Sequence, residues 1–291
     1  RIEDTDQKRL VPGSVDQIKD TLRWAGLEYD QFEVQSQRTD IYHRHAHDMI
    51  EKGHAYKCYC KEERLAWLRD KGQKYDRHCL SLSSEEIARL EAENTPFTVR
   101  MKIPTSPTEK LYTTVEDVIF GAMKFENALL DDQILLKSDG HPTYHLANVV
   151  DDFEMKVSHV IRGVEWLSST PKHVILYDML FPDQERPVFA HLPLLVDETG
   201  AKLSKRKDHA SIDWYRNSGI LREALINFVA LLGWNKGQGS DKDLWTIDEL
   251  IRDFSLEQVN KGNSCVNMQK LNWINAQFTK KLVVDHPEQA R

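Results

Sequence analysis

Apolar positions recur along this chain at two spacings, and the switches between them divide it into blocks. Val15, Ile18, Leu22 and Ala25 fall three or four apart, which makes one face of a helix. Pro12-Gly13 forms a turn before it, Ser14 caps it with Gln17 completing a capping box, and Gly26 stops it. A second helix is predicted over 37–52, with Ile41, Ala46, Met49 and Ile50 inward and Gly53 at its end. A short helix over 85–93 starts from a cap at Ser83 or Ser84. The period then drops to two. Residues 97–103 alternate apolar and polar, as a half-buried strand does, and 111–136 read as short strands joined by turns. Strands are also predicted over 133–138, 157–163 and 191–196, with 1–6 closing another. Helical spacing returns over 172–181, entered through Pro171, and dominates the tail at 221–232 and 267–281. Between those two, Thr246-Ile247-Asp248-Glu249 is a capping box that opens one more helix. The pattern is an α/β layer interrupted by a separate module over about 56–136, followed by an all-α tail. No internal repeat or low-complexity segment interrupts it.

Composition narrows the classes. The 291 residues can hold one large domain or two to three smaller ones. With 39 Lys+Arg against 46 Asp+Glu, the net charge is −7, so a nucleic-acid partner would have to meet a local basic surface. No apolar run approaches the roughly 18 residues of a membrane span. The 4 Cys are too few for a disulfide scaffold at this length. The start at Arg1 and the end at Arg291 carry no terminus signal, and the chain is read as a fragment.

Several stretches carry candidate chemistry. Ala201-Lys202-Leu203-Ser204-Lys205-Arg206-Lys207 follows a turn signal, Asp197-Glu198-Thr199-Gly200, and leaves the predicted strand 191–196. It reads either as a solvated basic loop or as a grip on a polyanion such as a triphosphate. Glu3, Asp4 and Asp6 are either solvated acids or an ammonium- or metal-binding strand end. Tyr144 and Asn148 are four apart and share a face if their segment is helical; they belong to a core network or to a pocket wall. Arg162 ends a predicted strand, where a guanidinium can clamp a carboxylate, and Glu165-Trp166 follow at once. Cys58, Cys60 and Cys79 are either reduced, half-buried thiols or three of the four ligands of a structural zinc, with Tyr75 or His78 as the fourth. Cys265 stands alone and is assigned to the core.

Five of these stretches, taken in order, resemble one family. Arg1-Ile2-Glu3-Asp4-Thr5-Asp6, Tyr144-His145-Leu146-Ala147-Asn148-Val149-Val150-Asp151-Asp152, Val160-Ile161-Arg162-Gly163, Glu165-Trp166 and Lys202-Leu203-Ser204-Lys205-Arg206 look like glutamyl-tRNA synthetase, a class I aminoacyl-tRNA synthetase. The basic loop is similar to the class's Lys-Met-Ser-Lys-Ser signature, with Leu203 for Met and Arg206 for the final Ser. The wording of 3–9 and 202–207 is most similar to the bacterial-type branch found in organelles, which points to a fungal mitochondrial member.

The resemblance implies an α/β, Rossmann-type nucleotide-binding fold, truncated on its N-terminal side. An inserted α+β acceptor-stem domain and a C-terminal all-α stem-contact module complete it. The implied boundaries are 1–55 and 137–207 for the two halves of the catalytic domain, 56–136 for the insertion and 208–291 for the helical module. The family's His-Ile-Gly-His-type motif is expected before Arg1 and an anticodon-binding domain after Arg291, so the fragment alone is expected to be inactive. Implied partners are L-glutamate, ATP with Mg2+, tRNA(Glu) and, as an open choice, tRNA(Gln). The implied protein is a monomer of the mitochondrial matrix, with the cytoplasm as the alternative, and has no membrane association.

Carried over residue by residue, Glu3 meets the amino group of glutamate, while Tyr144, Asn148 and Arg162 line its pocket. Glu165, the backbone near Leu195, and Lys202, Leu203, Ser204, Lys205 and Arg206 bind ATP, with Lys202 and Lys205 as the catalytic cations. Some members, and the related enzyme that glutamylates queuosine on tRNA(Asp), look similar in carrying Cys-x-Cys and then Tyr-x-x-x-Cys. Cys58, Cys60, Tyr75 and Cys79 match that spacing and imply a zinc site. Other members place His two residues after the last Cys, where this chain has Ser81, which favours Tyr75 over His78. The rival readings are that queuosine-modifying ligase and a non-catalytic tRNA-binding fragment.

Overall fold

The computed structural model describes residues 1–6, 9–106, 108–203, 212–237 and 242–285. Ser204, Lys205 and Arg206 of the basic loop lie outside the described residues. In chain order the first elements are α1 (Ser14–Ala25), α2 (Thr39–Glu51), β1 (Ala55–Cys58), α3 (Glu62–Asp70), α4 (Ser84–Ala92) and β2 (Thr98–Met101). Next come β3 (Tyr112–Asp117), β4 (Gly121–Glu126), β5 (Ile134–Leu136), α5 (Tyr144–Glu154), β6 (His159–Gly163) and α6 (Thr170–Leu180). The last are β7 (Val188–Leu192), β8 (Leu195–Val196), α7 (Ile212–Asn217), α8 (Arg222–Ala230), α9 (Ile247–Asp253), β9 (Ser264–Cys265) and α10 (Met268–Asp285).

The sheet that positions the site has the order β4-β3-β7-β6. Its β3, β7 and β6 run parallel, and β4 returns antiparallel at one edge. Arg162 pairs with His191 in the β6–β7 register, so both stand at one end of neighbouring strands. A second sheet, β1-β2-β5, is antiparallel. One core lies between the sheets and helices α2, α5 and α6, and it includes Tyr42, Met49, Met101, Leu135, Leu146, Leu176 and Phe189. Fully burying a side chain such as Leu146, which is 0 % exposed, contributes about 1.5–3 kcal/mol.

Several expectations change here. Within the block 56–136, β3 pairs with β7 from beyond it, and Val115 shares a core with Phe189. A strand with apolar residues on its buried face pairs wherever that face can be covered, whatever the chain order. Residues 1–6 form no strand, only a single parallel bridge of Ile2 to Val34. Gly13, at φ 78°, takes the position before α1, so Ser14 is the first helical residue and makes no cap. The strand predicted over 191–196 is broken into β7 and β8, with Pro193 between them. Cys265 is exposed, because β9 lies at the surface beside β8 rather than in the core. That same pairing means the tail is not purely helical.

Other expectations hold. Gly26 ends α1 at φ 69°, and its N–H bonds back to Arg23 O. Ser83, rather than Ser84, caps α4 in a full capping box with Glu86, and Thr246 does the same with Glu249. The helical tail is tied to the sheet by a cluster of Ile119, Ala190, Trp234, Trp245, Leu250 and Val259. Leu203, at the start of the basic loop, packs against the helical core of Phe228, Leu271 and Ile274.

Candidate active site

Arg162 ends β6 beside the first turn of α5 and the start of α6, and it is the hub of the site. Its Nε donates to His191 Nε2 at 3.1 Å, and its Nη2 to Thr170 Oγ1 at 2.8 Å. Its Nη1 reaches Tyr144 Oη and His173 Nδ1, each at 3.2 Å. Tyr144 also stacks on Trp166, with ring centroids 4.2 Å apart. Among the described residues no carboxylate ion-pairs with Arg162, so its charge faces only neutral acceptors.

Those contacts settle the imidazole tautomers. A guanidinium only donates, so His191 Nε2 and His173 Nδ1 must be bare acceptors. His191 therefore carries its proton on Nδ1 and donates it to Asp117 Oδ2 at 2.6 Å. His173 carries its proton on Nε2, which lies 2.9 Å from His145 Nδ1. Burial pushes His145 down to about 4 and pushes His173 and His191 below the ordinary histidine value, with the Arg162 charge adding to each effect. On His191 the hydrogen bond to Asp117 opposes that fall without reversing it.

The sign of the pH effect follows. The folded protein keeps these imidazoles neutral, whereas the unfolded chain takes up protons below about pH 6.5. Stability is then expected to fall as pH drops below about 6.5, by up to about 1.4 kcal/mol per pH unit for each such histidine. Thermal unfolding at pH 7.5 and 5.5 checks this, and an unchanged midpoint would contradict it.

A second cluster lies along α5. Asn148 Oδ1 accepts from Arg1 Nη2 at 2.9 Å, and Arg1 also pairs with Glu3 at 3.0 Å and with Asp152. Glu3 thus stands in the same cluster as Asn148, with its carboxylate held by an arginine and 40 % of its side chain exposed. One turn further along α5 from Asn148, buried Asp151 accepts from Arg38 Nε at 2.9 Å, Gln35 Nε2 at 3.1 Å and Tyr42 Oη at 2.8 Å. This network anchors the helix that presents Tyr144 and Asn148.

The other predicted residues fall nearby. Gly163 leads from Arg162 to Glu165, whose carboxylate folds over it so closely that a Cβ at Gly163 would lie 2.2 Å from Oε2. Glu165 Oε1 lies 3.3 Å from Lys202 Nζ, an exposed pair of small energetic weight. Leu195 accepts from Leu203 N–H at 3.0 Å, and Asp197 Oδ1 accepts from Thr199 and Ala201 N–H. These bonds make the turn that delivers Lys202 toward Glu165.

The thiols come together as well. The Sγ atoms of Cys58, Cys60 and Cys79 all lie within 4.8 Å of one another, and Cys60 and Cys79 are 3.5 Å apart. Tyr75 Oη is 3.3 Å from Cys58 Sγ and 3.7 Å from Cys60 Sγ. Cys58 is pushed down to about 4 by the hydrogen bond from Cys79, with a further contribution from Tyr75, so one thiolate is favoured. Among the described residues the His78 ring is not part of this ligand cluster, and its backbone N–H bonds to Asp76 Oδ1.

Sequence reading did not single out His173, His191, Thr170, Asp117 or Arg1 as members of a site. His191 reads in sequence as the first residue of an apolar strand, and Thr170, His173, Asp117 and Arg1 lie 8, 11, 74 and 147 residues from Arg162, Arg162, His191 and Asn148. A polar residue inside a buried strand was the one available signal.

Comparisons with known proteins give the same picture. A family model described as tRNA synthetases class I (E and Q), catalytic domain, matches residues 1–273. A glutamate--tRNA ligase of Clostridium kluyveri is 43% identical over 300 residues, covering 98% of this chain and 60% of that protein. One of Protochlamydia amoebophila is 43% identical over 296 residues, covering 97% of this chain and 57% of that protein. A crystal structure of a glutamate tRNA ligase from Elizabethkingia meningosepticum, in complex with its amino acid, matches with TM-score 0.86 and 35% identity. It is covered over 62% of its length by 96% of this chain. A glutamate-tRNA synthetase from Elizabethkingia anophelis matches at TM-score 0.85 and 34% identity, with 99% and 67% covered. The chain spans about 60% of the length of the curated relatives it matches. With nearly its whole length matched by the family model, the chain belongs to the class I tRNA synthetases for E and Q, in their catalytic domain.

Proposed function

We propose that this chain is the substrate-handling core of a glutamate–tRNA ligase. The observation that carries the reading is Arg162, a guanidinium near the end of β6 held by Tyr144, His173, Thr170 and His191, with no carboxylate partner among the described residues. Such a charge suits a substrate carboxylate, and Glu3, next to Asn148, suits the substrate's ammonium group. Lys202 and Glu165 stand at the nucleotide side, where Lys205 and Ser204 follow in sequence. A glutamate carboxylate oxygen attacks the α-phosphorus of ATP, and pyrophosphate leaves with the electrons of the broken P–O bond. The terminal ribose hydroxyl of tRNA then attacks the acyl carbon, and AMP leaves. No protein nucleophile is required, so positioning and cationic stabilisation carry the rate. Magnesium, bound to the ATP phosphates, supplies further charge neutralisation.

The test is charging of tRNA by the full-length protein with radiolabelled glutamate, glutamine and aspartate. ATP-dependent transfer of glutamate supports the reading; no transfer, or transfer of another amino acid alone, overturns it. Running the assay on tRNA(Glu) and tRNA(Gln) separately decides the tRNA range. The queuosine-modifying alternative would share the pocket, but the helical module ending in α10 favours the synthetase. A cleft of about 480 Å³ is lined by the aromatic faces of Tyr59 and Phe97 with His43 and Lys137, beside a Lys57–Glu91 ion pair, and stacking on such faces suits an unpaired nucleotide.

A structural zinc is part of the proposal. Zinc–sulfur bonds of about 2.3 Å in a tetrahedron put ligand atoms about 3.8 Å apart, and Cys58, Cys60, Cys79 and Tyr75 approach that spacing. These residues would hold the ion, which would pin β1 to the segment after α3. One zinc per chain is expected by elemental analysis. Cys79→Ser should lose it and lower the unfolding midpoint by roughly 5 °C or more. Full stability and unchanged metal content in that variant would refute the site.

For the compartment, the mitochondrial matrix is proposed on the wording of 3–9 and 202–207 alone, and the relatives named above are bacterial. Imaging a tagged full-length protein tests it. A monomer is proposed, and light scattering of the same protein decides it.

A further inference from the structure

We infer that His191, His173 and Asp117 are positioning residues for the substrate carboxylate, a cradle that aims Arg162 without neutralising it. The inference rests on the glutamate reading above and concerns how its clamp is held. An arginine that must bind an anion faces a conflict. A carboxylate partner would fix its direction but would compete for its charge, whereas no partner would leave a long side chain free to swing. Here the four described contacts on the guanidinium are two imidazole nitrogens, a threonine hydroxyl and a tyrosine hydroxyl. All are neutral, and they engage four of its five N–H groups, leaving one on Nη2 for a ligand.

The carboxylate is moved one residue back. Asp117, on β3, meets His191 Nδ1 at 2.6 Å, and it is His191 on the neighbouring β7 that touches Arg162. Asp117 has a second duty, accepting the backbone N–H groups of Ile119 and Phe120 at 3.0 and 2.9 Å on its Oδ1. That leaves Oδ2 directed at the imidazole and compels the tautomer in which His191 Nε2 is bare. His191 and His173 are 0 % and 2 % exposed, so their ring nitrogens are held by protein partners rather than by bulk water.

The cradle is sensitive to acid. A protonated imidazole cannot accept from Arg162, and it adds a like charge beside it. His191 faces Arg162 on β6, Asp117 on β3 and Thr170 on α6. His173 faces Arg162, the His145 ring and Tyr144 on α5, with Lys172 adjacent on its own helix. Of these neighbours only Asp117 is anionic.

The experiment uses the full-length protein, with glutamate binding by calorimetry and charging kinetics for glutamate and ATP. His191→Leu removes the acceptor, and His191→Gln restores one at the Nε2 position. His173→Leu and His173→Asn do the same for Nδ1. Each Leu variant is expected to raise the glutamate KM tenfold or more while the ATP KM stays within twofold, and each amide variant should recover most of the loss. Asp117→Asn, whose amide can donate to Nδ1 and reverse the tautomer, should raise the glutamate KM and leave the ATP KM in place. In the wild type, kcat/KM for glutamate should hold at the ordinary histidine value and fall only at lower pH, where the buried imidazoles take up protons in the folded protein, and kcat/KM for ATP should fall less. Equal losses in kcat and both KM values, with no recovery by the amides, would show a packing role alone and overturn the inference. So would unchanged glutamate KM values. If a Leu variant does not fold, His191→Gln against Asp117→Asn decides, since only the second should weaken glutamate. A wild type that binds no glutamate sinks the functional reading instead, which keeps the two failures distinct.

Discussion

Replacing Arg162 by Ala in the full-length protein is expected to lower kcat/KM for glutamate by roughly 30- to 5,000-fold. Removing one side of a buried, hydrogen-bonded charge pair typically costs about 2–5 kcal/mol, which gives that range. The loss should appear mainly in the glutamate KM, with the ATP KM little changed, because Arg162 faces Tyr144, His173, Thr170 and His191 rather than the Lys202 side. Arg162→Lys should not rescue. An ammonium is a point charge and cannot serve four acceptors fanned around a plane. Folding should survive both changes, since His191 keeps Asp117 and His173 keeps His145. Steady-state charging kinetics check the result, and a change below tenfold would remove Arg162 from the pocket.

Asp151→Ala is expected to destabilise the protein by about 3–5 kcal/mol, the cost of breaking a buried ion pair by deleting one partner. Asp151 is 0 % exposed and accepts from Arg38, Gln35 and Tyr42. Without it, the Arg38 charge keeps only Glu33 at 3.4 Å, and the buried Tyr42 hydroxyl loses its acceptor. For a chain of this size the unfolding midpoint should drop by roughly 10 °C. Asp151→Asn keeps an acceptor and should lose less. Thermal and denaturant unfolding measure both, and a loss under 1 kcal/mol would make Asp151 a minor contact. Because Tyr144 and Asn148 stand on the same helix, a destabilised α5 should also weaken glutamate binding.

The two predictions divide along what could be read from the chain. Arg162 and Asn148 were legible because their segments combine a buried pattern with one misplaced polar group, and the resemblance of five ordered stretches gave them roles. Their supports were not legible. Asp117 and His191 are 74 residues apart, and nothing local in either segment predicts the other. Gln35, Arg38 and Tyr42 sit 109 to 116 residues from Asp151, and only Tyr42 lies on a helical face that periodicity marks as inward.

By itself the sequence determined the local elements and their ends. Helical spacing placed α2 and α10, Gly26 stopped α1, and the Ser83–Glu86 and Thr246–Glu249 boxes opened their helices. These are interactions within one turn, so neighbouring residues are enough to specify them. The same locality brought Cys58 and Cys60 together on one short stretch. Tertiary structure alone decided that β3 pairs with β7, and that Pro193 divides the strand before the basic loop. It also decided which imidazoles meet Arg162. A strand's partner and a buried charge's neighbours are chosen by how the whole core closes, and a donor 74 residues away leaves no trace in the local pattern.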